Sequence, residues 1–264
     1  RTWSAMDDRL PLSVLLLARD ETAGLEALIP SLGFAHEVVV VWDADGDPAT
    51  RAAAERLGAR VLERPLDGFG PQRRFALEHC RQPWVLWLDA DERLDARAVS
   101  EVRRVAGGPP PGLQGFTLER RTFFLGRRIR FCGWRGERVL RLFRREAAAF
   151  DDAPVHERVR VEGRLGGLGG AIEHHSYASW EACVRKLTAY ARAGAERARR
   201  EGRGAGPLDV VARPPLRFAR MYVLQLGFLD GFHGFLVCAL AAAQVFLKYA
   251  DLWGGGRDGA AGPR

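Results

Sequence analysis

Two apolar runs of strand length, Val38–Trp42 and Trp84–Leu88, each end directly in a cluster of acids. The first empties into Asp43-Ala44-Asp45-Gly46-Asp47, the second into Asp89-Ala90-Asp91-Glu92. A β-branched run without polar alternation, such as Val38–Trp42, fits a parallel sheet covered on both faces. Around these runs the pattern switches regularly. Leu12–Ala18 reads as a first strand, and Leu25, Leu28, Ile29 and Leu32 then recur at helical spacing up to Gly33. A short helix over Ala49–Leu57 stops at Gly58, Arg60–Leu62 supplies a third strand, and Pro71–Cys80 is helical. Strands alternating with helices imply an α/β fold with a mostly parallel, doubly wound sheet flanked by helices.

In such sheets ligands bind beyond the carboxyl ends of the strands, where both acid clusters fall. Clustered carboxylates repel one another unless a cation neutralises them. Hard oxygen donors suit Mg²⁺ or Mn²⁺ bridging a carboxylate to substrate phosphates. The plainer alternative is an acidic turn that caps the following helix. Two such loops converging on one crevice favour a ligand. Carboxylates at Asp43 and Asp45 suit the N–H of a uracil and the hydroxyls of a ribose, with Asp91 holding a metal on the phosphates. No GxGxxG follows a strand, the match at Gly254–Gly259 lying in the Gly-rich tail, and there is no GxxxxGK[ST], so nicotinamide and P-loop chemistry lose support.

Composition adds exclusions. The chain has 264 residues, 47% of them hydrophobic, enough for one large domain or two fused halves. Its charge of +7 is almost entirely arginine, since Lys186 and Lys248 are the only lysines. No zinc-finger spacing, aromatic RNP motif or heptad basic region accompanies that charge, so nucleic acid is not the expected partner. Cys80, Cys132, Cys183 and Cys238 are scattered without a CxxC and read as reduced thiols of a cytoplasmic protein.

The stretch 107–112, with three successive prolines, divides the chain. Residues 10–106 form the expected nucleotide-sugar half, and 107–206 an acceptor-binding and catalytic half with short β pieces at Phe116–Arg120, Val139–Phe143, Val159–Val161 and Ala171–His174. Gly166–Gly170 reads as a loop, and Ser179 caps a helix running to about Arg200. Pro214-Pro215 then precede an extended helical region, Leu216–Tyr249, within a C-terminal segment 207–253. Residues 254–264 form a Gly- and Ala-rich tail. Met221–Leu229 and Phe232–Leu247 are strongly apolar but interrupted by Gln225, Asp230, His233 and Gln244, and a charge inside a span is expensive. Arg213, Arg217 and Arg220 before them and Lys248 and Trp253 after them suit an interface. A membrane-associated or re-entrant helical hairpin is the favoured reading, with a buried core helix or homo-oligomer contact as the rival.

Two further motifs carry chemistry. Gly68-Phe69-Gly70-Pro71-Gln72-Arg73-Arg74 precedes a helix; its glycines permit close backbone approach, and its Gln72 and arginines suit a diphosphate. Downstream, Cys132-Gly133-Trp134-Arg135-Gly136-Glu137 places an aromatic sugar platform, Trp134, near an acid, and leads into Arg138-Val139-Leu140-Arg141-Leu142-Phe143-Arg144-Arg145. His156 beside Glu157 offers a metal or phosphate contact, or an ordinary salt-bridged pair.

Taken in order, LSVLLLARDE, VVVVWDADGD, GFGPQRRFAL, WVLWLDADERL, GWRGERVLRLFRR, VHERV and GFLDG…KYADLW resemble the family 2 glycosyltransferases. The closest subgroup is the lipopolysaccharide-core glucosyltransferase-like proteins. The resemblance runs from Leu12 to Trp253. It implies a GT-A fold, a nucleoside-diphosphate sugar donor (a UDP-sugar, with glucose as the sugar), a divalent cation and inversion at the anomeric carbon. Asp43 or Asp45 would match the early aspartate that binds the base. Asp89 and Asp91 match the DxD element, with Asp91 as metal ligand, joined by His156. Glu137 stands where the family places its acid and is the first choice for general base, with Glu157 second. Gln72, Arg73, Trp134 and Arg141 complete the donor contacts. The acceptor would be a lipid-linked or core saccharide at the cytoplasmic face of the inner membrane. A nucleotidyltransferase and a degenerate membrane-associated scaffold of the same fold are the alternatives. The early loop is one residue shorter between its acids than the family pattern, and Arg74 stands where asparagine is common.

Overall fold

The computed structural model describes residues 9–150, 159–177 and 179–258. The chain begins with β1 (Leu10–Ala18), α1 (Thr22–Leu28), β2 (Ala35–Trp42), α2 (Pro48–Arg56), β3 (Arg60–Glu63), α3 (Phe69–His79) and β4 (Trp84–Trp87). The four strands are parallel in the order β3-β2-β1-β4. Their unbroken apolar runs feed two cores by simple alternation. Leu12, Val14 and Leu16, with Val40, Trp84 and Leu86, meet Leu25 and Leu28 of α1 on one face. Leu15, Val39, Val41, Val85 and Trp87 meet Ala76 and Leu77 of α3 on the other. Each fully buried Leu or Val contributes roughly 1.5–3 kcal/mol, so this two-sided burial fixes the register firmly.

From β1 the chain builds β2 and β3 to one side, then returns to lay β4 on the other. That reversal opens a crevice at the carboxyl ends of β1, β2 and β4.

Beyond β4 come β5 (Glu92–Leu94), α4 (Ala96–Gly107), β6 (Leu113–Phe124), β7 (Arg127–Arg128), β8 (Arg138–Arg144), β9 (Ala148–Phe150), β10 (Val159–Val161) and β11 (Arg164–Tyr177). The sheet continues β4-β8-β6-β11-β5, with β8 antiparallel to both β4 and β6, and β11 antiparallel to β5. A parallel half is thus extended by antiparallel strands, and β9 and β10 pair separately. The glycine run expected to be a loop at Gly166–Gly170 lies inside β11 instead. Its glycines are there for close approach. A Cβ on Gly166 would stand 2.9 Å from the Phe116 ring, and one on Gly170 would strike the backbone of Ala98.

The chain divides into two units, one ending at Arg120 and resuming over Glu137–His174, the other formed by Arg121–Gly136 and the chain from His175 onward. In the second unit, α5 (Trp180–Arg200), α6 (Pro207–Ala219) and α7 (Gly231–Asp258) pack together. Their core joins Phe124, Ile129, Cys132, Met221, Val237 and Cys238. The four cysteines are free and buried.

Pro214 and Pro215 were expected to precede a long helical region, yet they sit inside α6. Their rings leave the carbonyls of Val210 and Val211 without intrahelical donors, which the short, exposed helix tolerates. The helical region breaks after α6 into a π turn at Arg220–Leu224 and a 3-10 turn at Gly227–Asp230, with Leu226 left-handed at φ 56°. Asp230 is not a charge stranded in an apolar helix. It is buried just before α7, where its carboxylate accepts from Arg130 N–H at 3.1 Å and Phe131 N–H at 2.8 Å.

Candidate active site

The loops after β1, β2 and β4 define the site in the first unit. Asp43, 4% exposed at the end of β2, accepts from the backbone N–H groups of Asp45 and Leu66 at 3.2 and 3.1 Å. Its second oxygen lies 3.1 Å from the Arg19 guanidinium. Asp43 therefore ties three loops together. Asp45 is exposed, and Asp47 caps α2 by accepting from Ala49 N–H at 2.9 Å. Gly46 packs so close to Arg19 that a Cβ there would stand 2.6 Å from its carbonyl oxygen.

The loop after β4 is not the cap of the next helix. Asp95 fills that position, accepting from Ala98 N–H at 2.8 Å, which leaves Asp89–Glu92 for other work. Asp89 Oδ1 lies 3.4 Å from Arg73 and Oδ2 accepts from Arg141 at 3.0 Å. The Arg141 guanidinium also donates to Glu92 at 2.7 Å. Both guanidiniums lie over the Trp87 ring, 4.4 and 4.0 Å from its centroid for Arg73 and Arg141. Glu92 is fully buried and takes a further bond from Asp89 N–H at 3.2 Å.

These environments push the two carboxyls apart. Burial raises Asp89, but Arg141 and then Arg73 outweigh it and hold the group below the usual carboxylate range. Burial dominates at Glu92 and raises it, against the pull of Arg141. Arg141 thus serves both carboxyls at once, with Asp89 held ionised between it and Arg73 and Glu92 kept in the core by its 2.7 Å bond to the same guanidinium.

Asp91 lies on the same turn. Its Oδ2 stands 3.5 Å from Nε2 of His174, whose buried Nδ1 has no hydrogen-bond partner among the described residues. The antiparallel register of β11 on β5 sets His174 opposite Glu92 and so brings the imidazole to Asp91. A carboxylate oxygen and an imidazole nitrogen this close are chemically suited to one divalent cation completed by water or phosphate oxygens. Among the described residues no three His, Cys, Asp or Glu side chains form a metal-holding group.

Gln72 is 2% exposed, and its amide donates to Arg64 C=O at 3.1 Å, bracing the β3–α3 loop. Glu137 directly precedes β8, and its carbonyl accepts from Arg120 N–H of β6 at 2.8 Å. Arg120 engages both its oxygens, each at 3.1 Å. Trp134 belongs to the second unit, packed against the cluster around Cys132. His156 and Glu157 lie outside the described residues.

Sequence reasoning missed His174 and the part played by Glu92. The only signal for His174 was its place at the end of the Ala171–His174 run.

Sequence comparison gives the family of this parallel α/β half with a DxD turn at its switch point. Residues 18–147 match the model of glycosyl transferase family 2, and the chain belongs to that family. The lipopolysaccharide core biosynthesis glycosyltransferase LpsC of Rhizobium meliloti is 29% identical over 254 residues, covering 94% of this chain and 94% of that protein. An uncharacterized glycosyltransferase of Rickettsia prowazekii is 24% identical over 261 residues, covering 91% of this chain and 86% of its own. The chain is a glycosyltransferase related to a lipopolysaccharide-core enzyme. A glucosyl-3-phosphoglycerate synthase from Mycobacterium tuberculosis aligns with 56% of this chain and 63% of its own at 20% identity and a TM-score of 0.38, too partial an overlay to inform the site.

Proposed function

We propose that the enzyme moves a hexose, glucose in the first instance, from a UDP-sugar to a saccharide of a lipid-linked or lipopolysaccharide-core acceptor. Transfer inverts the anomeric carbon and takes place at the cytoplasmic face of the inner membrane. The observation that carries this reading is the pairing of Asp89 with Arg73 and Arg141 directly beside the Asp91–His174 pair. Two guanidiniums next to a carboxylate–imidazole pair match a diphosphate with its counter-ion.

Asp91 and His174 would hold a divalent cation, which when bound supplies charge neutralisation on the diphosphate. Arg73 and Arg141, preorganised on Trp87, stabilise the negative charge that grows on the leaving nucleoside diphosphate. Asp89 serves that pair as counter-ion and support. Asp45, exposed at the mouth of the β2 loop, accepts from the nucleoside, while Asp43 and Gln72 shape the loops around it. An acceptor hydroxyl is a weak nucleophile, so a carboxylate must take its proton as the bond to the anomeric carbon forms. Glu137 is assigned that role, with Arg120 orienting it until the acceptor binds.

The test is an assay of products from UDP-glucose with a core-saccharide acceptor, with and without Mn²⁺. UDP release that depends on both acceptor and cation supports the reading. Release of pyrophosphate, or full activity in a chelator, overturns it.

A further inference from the structure

Along α6 runs an apolar helix face that no element covers among the described residues. Leu208, Val211, Ala212, Pro215, Leu216 and Ala219 recur at the i, i+3, i+4, i+7, i+8, i+11 spacing that normally faces a core. All six are exposed instead, Leu208 at 82%, Val211 at 72% and Leu216 at 67%. A separate face of α6 serves the fold. There Phe218 stacks on Tyr222 at 5.2 Å and meets Phe235 edge-on at 5.7 Å. Beyond α6, Leu224 and Phe232 are also exposed, at 77% and 69%. An exposed apolar helix face of this kind marks an interaction site.

Charge chooses the occupant. Arg213 and Arg220 are exposed near the Leu216 edge of the apolar face by helical spacing, and Arg217 is exposed farther round the helix. Asp209, the one acid between 207 and 229, already serves Gly206 N–H at 2.9 Å and Arg213 at 2.6 Å. A second copy packed on this face by two-fold symmetry would set arginines against arginines. Anionic lipid headgroups would neutralise them while the leucines enter the acyl boundary.

α7 does not take this role by spanning. With the turn before it, it forms a helix long and apolar enough to cross a membrane by length and composition. It is nevertheless bound along its length to α5, which carries Arg185, Lys186, Arg192 and Arg197. Arg199 of α5 donates to Asp251 of α7 at 2.7 Å, and a Cβ on Gly194 would stand 3.2 Å from the Lys248 side chain. A spanning α7 would have to shed that partner or drag its charges into hydrocarbon.

We infer that the α6 face, together with Leu224 and Phe232, docks in the plane of an anionic bilayer, resting on the membrane location proposed above and naming the surface that achieves it. The test is flotation of the full chain with phosphatidylcholine vesicles, with and without phosphatidylglycerol, for wild type and the Leu208→Asp/Leu216→Asp variant. Circular dichroism melting and UDP release with a soluble acceptor are recorded in parallel. Wild type should float with the anionic vesicles and be released by salt, and the variant should lose roughly tenfold or more in partitioning while keeping its melting temperature and soluble-acceptor activity. Because exposed residues are changed, loss of folding is not expected; if it occurs, Leu224→Asp provides the second variant. Unchanged flotation of folded variants overturns the inference, as does resistance of wild type to carbonate extraction. A wild-type dimer that ignores vesicles and that the substitutions split assigns the face to a second copy and likewise overturns it. Failure of soluble-acceptor transfer with normal flotation would count against the proposed reaction alone.

Discussion

Arg141 donates to Asp89 at 3.0 Å from a side chain that is itself buried against Trp87, so the first acid of the DxD turn is committed to an arginine within the protein. Its neighbour Asp91 faces His174 instead. The two aspartates of one short motif therefore have different partners, and separate substitutions should produce separate defects.

Arg141→Met should destabilise the fold as well as the reaction. It strands the buried Glu92, which loses its 2.7 Å partner, and breaking a buried ion pair costs about 3–5 kcal/mol. Arg141→Lys keeps the charge but not the planar stack on Trp87 and should recover only part of the loss. Urea denaturation read by tryptophan fluorescence checks both; wild-type stability for the methionine variant would remove the structural role.

His174→Ala should raise the Mn²⁺ concentration needed for half-maximal activity about 10–100-fold, by analogy with the loss of a supporting group at a metal site. UDP binding in the absence of metal should not change. A metal titration of the initial rate provides the comparison.

Glu137→Gln should lower kcat by roughly 10²–10⁴ while the donor still binds, since it removes a proton acceptor and not a donor contact. Single-turnover transfer beside calorimetric UDP binding separates the two effects. Full turnover would transfer the role to another acid, and Glu157→Gln is the companion variant.

Glu37 makes stability pH-dependent away from the site. It accepts from the buried Ser13 hydroxyl and from Arg81 N–H, both at 2.6 Å, and from Arg60 at 3.1 Å. Burial pushes its carboxyl up, but these bonds win and hold it below its ordinary value. A lowered folded-state value contributes stability that is complete above the unfolded value, about 4.3, and is lost as pH falls through the lower one. Glu37→Gln should cost about 1–3 kcal/mol at neutral pH and flatten the acid limb of the stability curve. Denaturation midpoints measured from neutral pH to below 4 would show it.

The parallel half was legible because its signal is local. Val38–Trp42 and Trp84–Leu88 carry their burial on both faces in the run itself, and the acids follow within the same few residues. The motif order also carried the family. What was hidden depends on pairing between distant segments. His174 reaches Asp91 only through the register of β11 on β5. The glycine-rich stretch 166–170 resembles a loop by composition, and only the nearness of Phe116 and α4 accounts for its place in a strand. Pro214-Pro215 looked like a helix boundary, because local propensity does not reveal a helix that leaves its carbonyls to solvent.

The most direct measurement of the central claim is calorimetric binding of UDP, with and without Mn²⁺, to wild type and Asp91→Asn. Wild type is predicted to bind UDP tightly only with the cation, and Asp91→Asn to lose that metal-dependent increment. Equal UDP affinity in both proteins, or in wild type with chelator, would contradict a metal-held diphosphate at the Asp89–Asp91 turn.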